Sequence, residues 1–170
     1  MIKEKLKEAM GWLANQPRTI FLGQNICYPT NQMYNSLLGV PDNKKIEMPI
    51  TEDMQMGLSI GLALENFVPI TIYPRFDFLL AATNQLANHL DKMKHLTSNS
   101  KIYTKIIIRT MVGGTSPLDP GPQHSQDYVE AYRKMLKHIT IIELIKEENI
   151  LSTYKYAYTS RQSVIVVEKW

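Results

Sequence analysis

The chain has 170 residues and a net charge of +3, with 19 Lys and Arg against 16 Asp and Glu. That length makes one domain with a sizeable core, and the weak charge, interleaved as in Lys3-Glu4-Lys5, excludes a nucleic-acid stripe of basic and aromatic residues. A single cysteine, Cys27, excludes an internal disulfide framework, and no apolar run approaches the ~20 residues of a membrane span.

In chain order, Ile2, Leu6, Met10 and Leu13 share one face, so residues 2–14 are predicted to form an amphipathic helix. Acidic residues interrupt it and no apolar stretch follows, which is not a signal peptide; with the lone thiol, this predicts a cytoplasmic protein. Thr19–Leu22 reads as a buried strand stopped by Gly23, and Cys27 as core. Residues 30–38 read as helix, ended by Gly39 and the Pro41-Asp42-Asn43 turn. Ile46–Ile50 reads as a short strand, and Thr51 or its neighbour as the cap of a helix reaching Glu65. Phe67–Tyr73 is apolar and β-branched, hence a strand, and residues 77–96 read as one long helix. Ile102–Thr110 reads as a central strand, 111–125 as a long loop rich in Gly and Pro, and 126–137 as a helix. Ile139–Glu143, 147–159 and Ser163–Glu168 follow as strand, helix and strand. Such alternation predicts an α/β fold with a mostly parallel sheet and helices on both faces. Ligands of such sheets bind at the carboxyl ends of strands, where Gly23-Gln24-Asn25, Thr51-Glu52, Tyr73–Phe78 and the 111–125 loop fall. That loop exceeds the usual connection length, as functional loops often do.

Glu52 is the leading candidate for chemistry. Read plainly, it is a first-turn glutamate favoured by the helix dipole. Gly57 and Gly61 add weight to a functional role, because glycine inside a helix costs about 1 kcal/mol and implies close packing. Asp53 reads as a solvated helix-start charge. His124 lies in Pro120-Gly121-Pro122-Gln123-His124-Ser125-Gln126, where two prolines stiffen the backbone before it. His89, His95 and His138 lack metal-site spacing, so no metal is assigned to this chain. Ser125, His124 and Asp127 are too close in sequence for a triad, and there is no GxSxG elbow. Phe76 and Phe78 include at least one core aromatic, and the other could stack on a ring. No GxGxxG or GxxxxGK[ST] phosphate loop is present, nor a Gly-Asp-Gly followed by a distant Asn.

Phe21-Leu-Gly23, Met48-Pro-Ile-Thr-Glu52, Gly57-Leu-Ser-Ile-Gly61-Leu-Ala63, Pro69, Phe76-Asp-Phe78, Asn84-Gln85, Arg109 and Gln123-His-Ser-Gln126 occur in that order. As a set they resemble the pyrimidine-binding domain of the transketolase-like thiamine diphosphate enzymes, and in particular the beta subunit of the 2-oxo acid dehydrogenase decarboxylating component. The resemblance runs from about residue 19 to 168. Transketolases proper place a histidine after the catalytic glutamate; Asp53 here favours the oxo-acid dehydrogenase branch.

The resemblance implies a role for each matching residue. Glu52 would hydrogen-bond the pyrimidine ring of thiamine diphosphate and favour its imino tautomer, a task for a desolvated carboxyl. Phe78 would stack on the aminopyrimidine, Tyr73 and Pro74 would line the pocket with Gln24 beside them, and His124 would exchange a proton near the substrate. The reaction would be decarboxylation or C–C cleavage of a 2-oxo acid or ketose through an enamine. The whole chain, 1–170, would be a single pyrimidine-binding domain. A separate alpha-type subunit would bind the diphosphate and Mg²⁺, completing a two-fold heterotetramer in which this chain also pairs with itself. The chain would be inactive alone.

Departures from the family pattern are Gln24-Asn25 in place of an acidic pair, Met54 in place of glycine, Asn84 in place of aspartate, and an expected lack of the family's C-terminal domain. They keep a second reading open, a catalytically degenerate assembly or regulatory module of the same fold. A third, a doubly wound ligand-binding domain unrelated to thiamine, accounts for the alternation but not for the ordered motifs.

Overall fold

The computed structural model describes residues 1–29, 32–97, 103–114 and 119–170. The start of the helix expected over 30–38, the first residue of the strand expected from Ile102, and 115–118 of the long loop lie outside these. The strands are β1 (Thr19–Gly23), β2 (Lys45–Glu47), β3 (Val68–Tyr73), β4 (Ile107–Val112), β5 (Thr140–Leu144) and β6 (Val164–Lys169). They form one sheet in the order β2-β1-β3-β4-β6-β5, and every neighbouring pair is parallel. The expected α/β class is therefore observed.

The helices are α1 (Ile2–Ala14), α2 (Gln32–Ser36), α3 (Glu52–Leu64), α4 (Phe76–Leu79), α5 (Met93–Leu96), α6 (Val129–Met135) and α7 (Ile150–Thr159). The two-residue period of the strands divides the core. Ile107, Val164 and Val166 face α1 and α7, where Leu6, Met10, Leu13, Ile150 and Tyr154 are buried. Ile108, Ile165 and Val167 face the opposite layer, with Met56, Ile60, Phe76 and Tyr132. The apolar face read for residues 2–14 is the buried face of α1.

Several boundaries differ from the sequence reading, each for a local reason. β2 ends at Glu47 rather than Ile50: Met48 N still donates to Gly23 O at 2.9 Å, but Pro49 has no N–H to continue the ladder. β4 is displaced from 102–110 to Ile107–Val112, because Ser163 Oγ, not a strand carbonyl, accepts from Ile106 N while Met111 and Val112 pair with Glu168 and Lys169. Thr51 caps α3 by position alone; its hydroxyl makes no capping bond to the helix amides. Cys27 lies after β1, half-buried, rather than within a strand.

The single helix expected over 77–96 changes winding along its length. α4 gives way to a 3₁₀ turn at Leu80–Ala82 and a π-helical stretch at Gln85–Leu90 before α5. The wide turn closes with Asp91 N donating to Leu86 O at 2.9 Å. The buried Asp91 carboxylate accepts from the backbone N–H of Lys137 and His138 at 2.9 and 2.7 Å. It thereby ties this helical run to the turn that enters β5.

Among the described residues one ion pair lies in the interior. Arg109 Nε donates to Glu168 Oε1 at 2.7 Å, both side chains being 1 % exposed. Arg109 Nη1 donates to Ser36 Oγ at 2.7 Å and Tyr154 Oη to Glu168 Oε1 at 2.6 Å. The network joins α2 and α7 to β4 and β6, and it satisfies charges that would otherwise be costly to bury.

Candidate functional site

Strand order sets the location. From β1 the chain moves outward to β2, and from β3 it moves the other way to β4. The crevice between the carboxyl ends of β1 and β3 is thus a topological switch point, where open parallel sheets bind ligands. Gly23 closes β1 there: a Cβ on it would lie 2.8 Å from Ile72 O and 2.9 Å from Ile26 Cγ2. The two strands approach at a distance that only glycine permits.

Gln24, Glu52 and Tyr73 meet at this crevice. Gln24 Nε2 donates to Glu52 Oε1 at 2.9 Å, and the Tyr73 hydroxyl donates to the Glu52 carbonyl at 3.1 Å. Burial pushes the Tyr73 phenol well above its usual range, so it stays a donor. Glu52 is half-buried, and among the described residues no hydrogen bond engages its second oxygen. On the next turn, buried Gln55 donates to Thr71 Oγ1 at 2.9 Å and to Ile72 O at 3.0 Å, pinning the start of α3 to β3.

Glu47 escaped the sequence reading although it shapes the site. Its carboxylate accepts from the successive amides of Asn25, Ile26 and Cys27 at 2.5, 3.0 and 2.9 Å. That nest supports Asn25 at a φ of 55°, a left-handed conformation Asn tolerates, and fixes the turn that presents Gln24. Burial, then the Glu47 carboxylate, raises the neighbouring Cys27 thiol. The available signal was an acidic residue on the short strand before Glu52.

His124 and Phe78 form a second group. Their rings meet edge to face with centroids 5.4 Å apart, and both are half-buried. Among the described residues no hydrogen bond or ring contact links them to Glu52. Phe76 and Phe78 lie on a helical turn rather than a strand end, so their spacing of two puts them on different sides. Phe76 is the core aromatic, against Tyr128 and Tyr132. His124 N donates to Gly121 O at 3.1 Å, Gly121 having a φ of +81°. Ser125 Oγ donates to the same carbonyl and Asp127 pairs with Lys169, so the three are not a triad. A Cβ on Gly113 would lie 2.4 Å from His124 O and 2.9 Å from Arg75 Nη1. Pro74 is half-buried between Tyr73 and Arg75.

The helical glycines carry a correction. Within this chain Gly57 has only an ordinary contact, Gln85 Cδ at 3.9 Å from a Cβ, and Gly61 faces open space. Among the described residues nothing packs closely on either. They lie with exposed Met54 and Leu58 on one side of α3, and exposed Ile50 precedes the helix. Asp53 is exposed as expected, and accepts from Gln85 Nε2 at 3.3 Å.

A carboxyl with one oxygen oriented and the other uncommitted, with a buried phenol behind it, can hydrogen-bond a ring nitrogen, and the Phe78–His124 pair is a separate aromatic group. Three buried side-chain polar atoms among the described residues, Gln55 Oε1, Asp77 Oδ2 and Thr110 Oγ1, lack protein partners, and Thr110 is level with Tyr73 in the sheet. Among the described residues, no cluster of three His, Cys, Asp or Glu side chains could hold a metal. No helix of the described residues is long and apolar enough to cross a membrane.

No family model matches the chain. It is 27% identical over 172 residues to the pyruvate dehydrogenase E1 component subunit beta of Staurastrum punctulatum, covering 98% of this chain and 50% of that protein. It is 26% identical over 174 residues to the chloroplastic subunit beta-3 of Oryza sativa subsp. japonica, covering 99% of this chain and 43% of that protein. The chain thus spans about half the length of the curated relatives it matches. Among solved structures, a split-gene transketolase, an inactive β4 tetramer, superposes with a TM-score of 0.74 at 15% identity over 98% of this chain and 50% of the other. Sequence and fold therefore agree with the resemblance: the chain is homologous, along nearly its whole length, to pyruvate dehydrogenase E1 beta subunits and has a transketolase-type α/β fold.

Proposed function

We propose that this chain supplies the pyrimidine-side half of a thiamine diphosphate site in a split enzyme that acts on a 2-oxo acid or ketose. The observation that carries the proposal is Glu52 at the switch point, its backbone tied by Tyr73 and one carboxylate oxygen held by Gln24, in a chain homologous to E1 beta subunits. Bound thiamine diphosphate supplies the carbanion chemistry that decarboxylation or C–C cleavage requires.

The chain's own residues bind and orient. Glu52 presents its uncommitted oxygen as a hydrogen-bonding partner for a ring nitrogen, and Gln24 keeps that oxygen directed. Tyr73 and Pro74 form the wall behind it. Phe78 provides an aromatic surface, and His124, backed by that ring, holds or accepts a proton near the substrate. The likeness to E1 beta subunits supports placing the diphosphate and Mg²⁺ ligands on a separate alpha-type subunit.

The open Gly57 and Gly61 side of α3, with Met54 and Leu58, suits that partner: small residues admit a close backbone approach and the apolar flanks bury on docking. A heterotetramer, in which this chain also contacts its own copy, follows from two-fold pairing, and the chain alone is inactive. The 1–170 unit acts as one pyrimidine-binding domain. The single half-buried thiol supports a reducing compartment, and with it the cytoplasm.

Affinity isolation of the tagged chain from its native cells, with the co-purifying chains sequenced, tests the proposal. A partner carrying Gly-Asp-Gly…Asn is expected, and Glu52→Gln should lower turnover of the complex at least ~100-fold. Recovery of this chain alone without thiamine diphosphate binding, or a complex whose activity ignores Glu52→Gln, would leave the degenerate-module reading in its place.

A further inference from the structure

We propose that Arg75 determines substrate specificity at this site by holding an anionic group, carboxylate or phosphate, at the end of the substrate remote from its reacting carbonyl. This rests on the function proposed above. Arg75 follows β3 by two residues, is half-buried, and adopts an extended backbone at the start of α4. Its carbonyl accepts from Phe78 N at 3.1 Å, which fixes the turn. Pro74 restricts the residue before it.

The guanidinium lies against the backbone where β4 ends. The point where a Gly113 Cβ would stand is 2.9 Å from Arg75 Nη1 and 2.4 Å from His124 O. Glycine at 113 is thus what lets the arginine and the His124 loop occupy the same corner. His124 in turn meets Phe78, so Arg75 shares its surroundings with the residues proposed to face the substrate.

Among the described residues Arg75 has no carboxylate within ion-pair distance and its guanidinium donates no hydrogen bond, whereas Arg109 and Arg133 pair with glutamates. Arg18 also donates to two backbone carbonyls, those of Glu65 and Asn66. A half-buried guanidinium keeps five donors available for an anion. Its planar fork matches carboxylate or phosphate oxygens in pairs.

The chemistry excludes the reacting carboxylate as its main target. Decarboxylation removes that negative charge, so a guanidinium bound to it would stabilise the ground state more than the transition state. An anion at the far end keeps its charge throughout, and binding it positions the carbonyl without opposing the reaction. The substrate class is a 2-oxo acid with a second carboxylate, or a ketose phosphate.

The test uses the complex isolated through this chain, or the chain itself where it purifies alone. Equilibrium dialysis and turnover are measured with 2-oxoglutarate, xylulose 5-phosphate, pyruvate and xylulose. The wild-type protein should bind one of the first two more tightly than its counterpart lacking the remote anion. A preference confined to 2-oxoglutarate assigns a carboxylate, and one confined to xylulose 5-phosphate assigns a phosphate. Arg75→Gln should weaken that probe about tenfold or more while changing pyruvate and xylulose by less than about twofold. Arg75→Lys, which keeps charge but not the fork, should fall between. Equal binding of charged and uncharged counterparts by the wild type, or an Arg75→Gln effect of the same size on all four probes, overturns the proposal. Glu52→Gln separates it from the function it rests on: loss of turnover with dialysis unchanged supports both, whereas turnover that ignores Glu52→Gln removes the thiamine reading and leaves the Arg75 binding result to stand by itself.

Discussion

Gln24 and Glu52, 28 residues apart in sequence, are joined by a hydrogen bond of 2.9 Å across the mouth of the crevice between β1 and β3. An amide donor here orients one carboxylate oxygen without adding charge. Gln24→Ala removes the donor and leaves the rotamer of Glu52 less restricted. The expected result is a folded chain, destabilised by at most about 1 kcal/mol, whose complex loses turnover about tenfold. Gln24→Glu would set two carboxylates against each other and should shift the pH profile of kcat. An unchanged profile and rate for both variants would show that Gln24 does not position Glu52.

Glu47 organises the turn before that contact. Replacing it with Gln leaves one oxygen to serve amides now held at 2.5, 3.0 and 2.9 Å by a charged group. Hydrogen bonds to charged groups contribute roughly 1.5–3 kcal/mol, so Glu47→Gln should destabilise the chain by about that amount in urea unfolding. Amide exchange should quicken first at Asn25, Ile26 and Cys27, with α1 unaffected. Uniform loss of protection would mean that Glu47 supports the fold and not the turn.

The layered architecture was legible because its signals are periodic: the four-residue spacing of Ile2, Leu6 and Met10, and the β-branched runs of β3 and β6. Glu52 and His124 were legible from their own surroundings, a helix with internal glycines and a loop stiffened by two prolines, and one of Phe76 and Phe78 as a stacking aromatic, whereas Tyr73 entered only through the family resemblance. The contacts that complete the site were not. The Glu47 nest depends on a left-handed Asn25, and the Arg109–Glu168 pair on a register joining residues 59 apart. The open face beside Gly57 and Gly61 shows the same limit: helical glycines signal close approach but not what approaches.

The buried pair makes an asymmetric prediction. Arg109→Met or Glu168→Gln alone strands a partner in a site 1 % exposed, and should cost about 3–5 kcal/mol. Arg109→Met combined with Glu168→Leu removes both charges and should recover much of that loss. A double-mutant cycle by chemical denaturation measures it; additive effects would deny the coupling.

Stability should vary with pH through Lys169. The Lys169 hydrogen bond and then Arg133 outweigh burial and hold the Glu143 carboxyl below its ordinary 4.5. Burial acts to lower Lys169, but Asp127 and Glu143 raise it above 10.5. A lowered carboxylate contributes stability that is complete above its unfolded pKa and lost as pH falls through the folded value. A raised lysine contributes stability that is complete below its unfolded pKa and lost as pH rises through the folded one. The cluster therefore stabilises most fully between about 4.5 and 10.5. Glu143→Gln should weaken the acid limb of a melting-temperature profile; an unchanged limb would place the transition in other carboxylates.

The exposed side of α3 provides the sharpest separation of folding from assembly. Ile50, Met54 and Leu58 are 82, 51 and 40 % exposed, and Gly61 has open space where a Cβ would stand. An apolar surface beside small residues contributes little to the isolated chain, but on docking it would be buried at roughly 25 cal/mol per Å². Neither Leu58→Lys nor Gly61→Leu changes a buried contact, so Leu58→Lys should leave the melting temperature within a degree or two, while Gly61→Leu should raise it by a few degrees because it removes a glycine from the interior of α3. The same changes should abolish recovery of the partner subunit in affinity isolation and lower the assembly's mass in light scattering. Gly61→Ala, which adds one methyl group, should weaken assembly without abolishing it. If Leu58→Lys and Gly61→Leu assembled normally, the partner would dock elsewhere, and the glycines of α3 would have no explanation in the packing of this chain.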